Sequence, residues 1–236
     1  MNSLIVLPEE IQDDLATIRG ARARYLLDYH DLRVGIKVRG ARLGGNLGEI
    51  EVLHIDEHEI RLKCCFTQPP PARNQTALVI AVPRPQTVKK ILHFAAMAGI
   101  TDLIFVRAER TDKSYLQSKT LLPENIQEEL IKGLEQSCDS LAPRVSVLQH
   151  LGELWENAVV QSADLKLVLA PDLETSLAQV QAEQKRTCLA LGPELGWTQT
   201  EVERFTQAGF LRYALGSRIY RLEFALALAL GQLGRY

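Results

Sequence analysis

The chain opens with short stretches in which apolar and polar positions alternate with a period of two. These are Ile36 to Val38, Gly48 to Ile55 and Glu59 to Cys65, punctuated by Gly40, Gly44-Gly45-Asn46 and Asp56-Glu57-His58. Such alternation puts one face of an extended segment inward, so it predicts strands joined by turns and a small β-rich domain. Beyond residue 76 the rhythm changes. Apolar runs at Ala77 to Val82, Asp102 to Arg107, Val145 to Leu148, Lys166 to Leu169, Thr187 to Leu191 and Phe210 to Ala214 read as strands. Helical periods near Gln86 to Ala98, Pro123 to Ser137, Leu151 to Ala158, Thr198 to Ala208 and Leu222 to Leu233 lie between and after them. Apolar strands alternating with amphipathic helices predict an α/β domain with a mostly parallel sheet covered on both faces.

The boundary falls in Gln68-Pro69-Pro70-Pro71-Ala72-Arg73-Asn74-Gln75, where three consecutive prolines remove backbone donors and favour an extended linker. Two domains are expected, at 1–70 and 76–236. Helix ends support this division: Gly99 follows the last periodic residue of one helix, and Thr198-Gln199-Thr200-Glu201 matches a capping box at the start of another.

Composition narrows the class without naming a function. The 236 residues are 46% hydrophobic, enough for a sizeable core, and a net charge of −2 gives no global attraction to a polyanion. Any nucleic-acid surface must then be a local basic patch. Arg19, Arg22, Arg24, Arg33, Lys37, Arg39 and Arg42 form one such cluster in sequence; it is either an RNA-tracking surface or an ordinary solvated face. Cys64, Cys65, Cys138 and Cys188 lack zinc-site spacing and read as reduced thiols, and the five histidines show neither ligand spacing nor a nucleophile partner, so no metal is expected. The N-terminus has no positively charged start, and no apolar run approaches a membrane span, which makes a cytoplasmic protein without membrane contact the expectation.

Two turns carry the candidate chemistry. Leu191-Gly192-Pro193-Glu194-Leu195-Gly196-Trp197 follows a strand and precedes the capped helix. Ligands of open α/β sheets bind beyond the carboxyl ends of strands, where glycine allows close backbone approach; a plain structural turn fits the same residues. Further on, Leu215-Gly216-Ser217-Arg218-Ile219-Tyr220-Arg221-Leu222-Glu223 gathers two arginines and a glutamate at a helix start. That group suits a phosphate or a base, and suits a surface ion pair equally well.

Taken in order, these motifs resemble the RsmE family of ribosomal RNA uridine methyltransferases. GPELGW stands where the family has a GPEGGF-like loop, and LGSRIYRLE before an alanine- and leucine-rich helix resembles its LGxRILRxETA segment. Upstream, Ala98 to Ile104 resembles the ELGV segment, Glu109-Arg110-Thr111 the SERS motif, and Glu135-Gln136-Ser137 followed by Pro143-Arg144-Val145 the EQSGR region. The match runs through nearly all of residues 76 to 236.

The resemblance implies a SPOUT-class methyltransferase whose C-terminal chain forms a deep trefoil knot, preceded by a small PUA-like β-barrel that binds RNA. It implies a homodimer, bound S-adenosyl-L-methionine, and methylation of uridine N3 in small-subunit ribosomal RNA, with the RNA or the small-subunit particle as partner. By position, the cofactor-binding residues are expected to be Leu169, Ala170, Pro171, Leu191, Gly192, Pro193, Glu194, Gly196, Leu215, Gly216, Ser217, Ile219 and Tyr220. Glu223 is expected as the base or base-orienting residue, with Arg218 and Arg221 holding the target base or a flanking phosphate. Arg22, Arg24, Arg33, Lys37, Arg39 and Arg110 are the expected RNA contacts.

The sequence departs from the family at several places. Leu195 replaces a glycine, which strains the loop if that residue needs positive φ. Phe224 replaces a threonine, as helix core or as a stacking surface for a splayed base. Tyr220-Arg221-Leu222 replaces Leu-Arg-Thr, and Asp139 stands near an arginine of EQSGR. Two alternatives follow: an RNA-binding relative without turnover, or a methyltransferase for another RNA base.

Overall fold

The computed structural model describes residues 2–170, 175–182 and 185–235. The chain divides into two compact units, one formed by Met1–Ala72 with Leu130–Ala142, the other by Arg73–Glu129 with Pro143–Tyr236.

The first unit contains β1 (Leu4–Val6), β2 (Ile11–Gln12), β3 (Leu15–Arg19), α1 (Gly20–Tyr29), β4 (Lys37–Arg42), β5 (Leu47–Ile55) and β6 (Glu59–Gln68). Its six strands run in the order β1-β4-β5-β6-β3-β2, antiparallel throughout except for the parallel β1–β4 pair. Alternate positions Ile50 and Val52 on β5 and Ile60, Leu62 and Cys64 on β6 turn inward onto Leu4, Val6 and Ile18, while α1 adds Ala23 and Leu26. The segment Leu130–Ala142 reaches this unit after a long excursion through the chain. Its Glu135 carboxylate accepts the Ile5 N–H at 3.3 Å, and the Asn2 and Ser3 amides donate to the Glu135 carbonyl at 3.2 and 3.0 Å.

The second unit contains β7 (Asn74–Ala81), α2 (Pro85–Met97), β8 (Ile100–Val106), α3 (Lys113–Leu116), β9 (Arg144–Leu148), α5 (Gly152–Glu156), α6 (Ala158–Gln161), β10 (Leu165–Leu169), β11 (Thr187–Leu191), α7 (Gln199–Gln207), β12 (Leu211–Tyr213) and α8 (Leu222–Gln232). Between α3 and β9, helix α4 (Pro123–Ser137) gives its first part to this unit and its end to the other. The sheet order is β12-β10-β11-β7-β8-β9 and every pairing is parallel. That is stricter than the mostly parallel sheet expected. The near-continuous apolar sequence of β7, buried from Thr76 to Ala81, fits a central strand covered on both faces.

One predicted helix differs. The period over Leu151 to Ala158 is broken at Asn157, whose side chain accepts the Val159 N–H and starts a second short helix. The core of this unit is led by an aromatic cluster in which Phe205 meets Trp155, Trp197 and Phe210 at ring-centroid distances of 5.1, 4.8 and 5.0 Å.

Candidate functional site

Because the second sheet is parallel throughout, the carboxyl ends of its strands share one edge, where open α/β sheets collect their ligands. Three loops at that edge line a single cavity of about 510 Å³. Leu169 and Ala170 come from the end of β10, Leu191 to Gly196 from the loop after β11, and Ala214 to Gly216 with Arg218 to Leu222 from the loop after β12. All the expected cofactor residues are on this wall except Ser217, which is exposed in the third loop, and Pro171, which lies outside the described residues. Leu195, Ala214, Leu222 and Ala225 also line the cavity. Their apolar character gave no chemical signal in the sequence, and the curvature of the loops brings them in.

The loop after β11 is tightly fitted. A side chain on Gly192 would begin 3.1 Å from the Trp197 amide nitrogen and 3.2 Å from its indole ring, so even a methyl group there would push Trp197 aside by a few tenths of an ångström. Gly196 closes the turn by donating to the Pro193 carbonyl at 2.8 Å and adopts a φ of +70°. Trp197 then anchors the loop to the core through Phe205. The strain expected at Leu195 is absent, since the only non-glycine residues with positive φ among those described are Asp13 and Cys138. Leu195 is 72% exposed and a leucine is accommodated without backbone cost.

Residues of this wall suit S-adenosylmethionine. The volume is in the range of small-molecule cofactor sites. Leu169, Leu191, Leu215 and Leu222 offer apolar surface for a flat base, and the Glu194 carboxylate offers an acceptor for an ammonium group. The Trp197 indole N–H is buried with no hydrogen-bond partner among the described residues and packs against Gly192 of the cavity loop.

Of the three expected catalytic residues, Arg218 and Arg221 line the cavity and Glu223 does not. The Glu223 carboxylate instead accepts a hydrogen bond from Lys90 of α2 at 2.9 Å, and that bond holds its pKa below the usual carboxylate range. A carboxylate stabilised in its charged form is a weaker proton acceptor. Phe224 is 61% exposed, which removes the core-packing reading. With Ile219 at 90% and Tyr220 at 40% exposed, it leaves an apolar surface beside the cavity.

The expected RNA contacts separate. Arg22 is half-buried and donates to the Glu10 carboxylate and the Ile5 carbonyl, which ties α1 to the N-terminal strand. Arg33 is paired with Asp31 at 2.8 Å and Lys37 with Glu49 at 2.7 Å, so their charges are locally neutralised. Arg24 and Arg39 are exposed on the first unit. Arg110, in the second unit, donates to the Leu195 carbonyl at 2.6 Å and so serves the cavity loop. Asp139, the charge reversal, is buried and caps its own loop by accepting the Ser140 and Leu141 amides at 2.6 and 3.1 Å. No group of His, Cys, Asp and Glu among the described residues has metal-binding geometry, and no described helix is long and apolar enough to cross a membrane.

A family model for an RNA methyltransferase domain matches residues 70–234. The chain belongs to that RNA methyltransferase family. Ribosomal RNA small subunit methyltransferase E 1 of Borreliella burgdorferi is 27% identical over 152 residues, covering 64% of this chain and 63% of that protein. Ribosomal RNA small subunit methyltransferase E of Treponema pallidum is 30% identical over 158 residues, covering 64% of this chain and 59% of that protein. The matched stretch thus spans less than two thirds of either relative's length. The crystal structure of a ribosomal RNA small subunit methyltransferase E from Neisseria gonorrhoeae bound to S-adenosyl methionine shares the fold, with a TM-score of 0.77, 21% identity and coverage of 98% of this chain and 97% of that one. The resemblance to the RsmE family read from the motifs is borne out by these relatives.

Proposed function

We propose that this chain is an S-adenosylmethionine-dependent ribosomal RNA methyltransferase, acting on uridine N3 of small-subunit RNA. The observation that carries the reading is the convergence of the three loops after β10, β11 and β12 on one cavity with Arg218 and Arg221 on its wall. When bound, the sulfonium supplies an activated methyl group, so the protein's task is in-line placement. Here Leu169, Leu191 and Leu222 exclude water from the cofactor, and Gly192 lets Trp197 pack against the loop that lines it. Arg218 and Arg221 hold the target base or a flanking phosphate. Glu223, tied to Lys90, acts as an orienting residue at the start of α8.

The same reading includes the C-terminal trefoil knot, a PUA-like barrel over 1–70, a methyltransferase domain over 76–236, a homodimer and a cytoplasmic location. Return of the chain end supports the knot: Arg235 donates to the Ala182 carbonyl and, at 2.6 Å, to that of Lys185, both in the segment between β10 and β11. Exposed Ile219 and Phe224 beside the cavity support a partner protomer at that face. Exposed Arg24 and Arg39 support RNA contact by the first unit. Of the three residues that suggested a silent RNA-binding relative, Leu195 sits without backbone strain and Asp139 caps its own loop, which leaves Phe224. Phe224 and Tyr220 still favour a changed target surface, so the methylated nucleotide is to be identified by mass spectrometry of digested ribosomal RNA.

The test is calorimetric titration with S-adenosylmethionine and S-adenosylhomocysteine, wild type against Gly192→Val. Saturable binding that is lost in the variant is expected, because the valine would collide with Trp197. A wild type that binds neither ligand would refute the assignment.

A further inference from the structure

Resting on the methyltransferase reading, we propose that Glu201 and Arg110 form a two-point clamp that sets the shape of the cofactor loop Gly192–Trp197, and that both are positioning residues for the cofactor. Glu201 stands in the first turn of α7 and is 1% exposed. A capping box asks its carboxylate for one bond, to the N-cap amide, and that bond is present from Thr198 N–H at 2.8 Å. The other oxygen accepts a second backbone N–H, from Glu109, also at 2.8 Å. This bond is surplus to helix capping and ties α7 to the turn that follows β8. Burying a carboxylate is costly unless its oxygens are paired, and here both are taken up by backbone donors from two separate loops.

The turn after β8 is itself rigid. Thr111 N–H donates to the Ala108 carbonyl at 3.1 Å, and the Thr111 hydroxyl accepts the Ala108 N–H at 3.3 Å. Within that braced turn, Glu109 gives its amide to Glu201 while its neighbour Arg110 gives a guanidinium N–H to the Leu195 carbonyl. The same turn therefore holds the cofactor loop at Leu195 through Arg110 and at Thr198 through Glu201. Gly196 and Trp197 lie between those two points, and Trp197 is the residue against which Gly192 is packed. Moving either point would rotate the Leu195 carbonyl or displace Trp197, and both line or border the cavity. The Glu109-Arg110-Thr111 motif thus acts on the cofactor through a different loop rather than by touching it.

The chain has two tryptophans, so Trp155→Phe leaves Trp197 as the single emitter and makes its fluorescence a report on the loop. In that background, S-adenosylhomocysteine affinity, Trp197 emission and thermal unfolding are measured for Arg110→Met, Arg110→Lys and Glu201→Gln. Arg110→Met is expected to weaken binding about tenfold and shift the emission, as befits a lost hydrogen bond from a charged donor, with the unfolding temperature unchanged at this exposed position. Arg110→Lys should restore part of the affinity because an ammonium can still donate to the Leu195 carbonyl. Glu201→Gln should weaken binding at least as much, and the double variant by no more than the larger single, since both act through one loop. Should Glu201→Gln fail to fold, Arg110→Met decides alone. Tight binding by the parent with equal affinity in the variants sinks the clamp and leaves the methyltransferase reading standing. A parent that does not bind at all brings down both.

Discussion

Gly192 and Gly196 stand in one loop and are held to glycine by different physics. At Gly192 the constraint is space, with Trp197 atoms 3.1–3.2 Å from where a side chain would begin. At Gly196 a side chain would meet nothing within 4 Å, and the constraint is a φ of +70°. Gly196→Ala is therefore expected to lower the unfolding free energy by about 1 kcal/mol, the usual cost of a left-handed L-residue, read from the shift in urea midpoint. Gly192→Ala should instead damage cofactor affinity more than stability, because Trp197 must give way inside the cavity loop. The glycines were legible in the sequence because Gly-Pro-Glu after an apolar run marks a turn at a strand end. Arg110 was not, since its partner Leu195 is 85 residues away and nothing local distinguishes a guanidinium that meets a carbonyl from one that meets a phosphate. The Lys90 partner of Glu223 was hidden for a similar reason, since it comes from a helix 133 residues earlier.

Among the elements, the β5–β6 hairpin shows how one side chain fixes a turn. Asp56 accepts the His58 and Glu59 amides at 2.7 and 2.8 Å, and with those bonds first and the His54 contact after them its pKa falls from 3.8 to about 2. A carboxylate depressed in the folded state contributes stability that is present above its unfolded pKa and is lost as pH falls through the folded one. The expected window is thus from about pH 4 down to about pH 2. Asp56→Asn keeps an acceptor oxygen but cannot titrate, so the difference in unfolding temperature between wild type and variant should shrink across that window; a constant difference would remove Asp56 from the turn's energetics. Turn residues made this hairpin readable, as the capping box did α7 and the apolar runs did β7, β8 and β11. Helix α1 was hidden because it buries only Ala23 and Leu26, too thin a stripe to stand out from its arginines and tyrosines. Strand β1 was hidden by its length of three residues, its pairing with β4 coming from across the chain.

At the scale of the whole molecule, the prolines at 69–71 lie just before the first stretch of the first unit ends at Ala72, where β-type alternation gives way to α/β alternation. Sequence patterning had no means of announcing that Leu130–Ala142 returns to the first unit, because the periodicity of α4 runs unbroken through the crossover at Glu129 and Leu130. That return has an energetic content. Glu135 receives the Ile5 amide and its carbonyl receives those of Asn2 and Ser3, while Ser140 donates its hydroxyl to the Gly45 carbonyl and accepts the Gly44 amide on its own carbonyl at 2.8 Å. A fragment ending at Ala72 would lose all five of these hydrogen bonds, each worth roughly 0.5–1.5 kcal/mol net. Against the marginal stability of a domain of this size that loss is decisive. The 1–72 fragment is accordingly expected to show no cooperative thermal transition by circular dichroism. Linking residues 130–142 to it through a flexible glycine-serine tether should restore one, whereas a sharp transition in the bare fragment would mean that the returning segment only decorates a unit already complete.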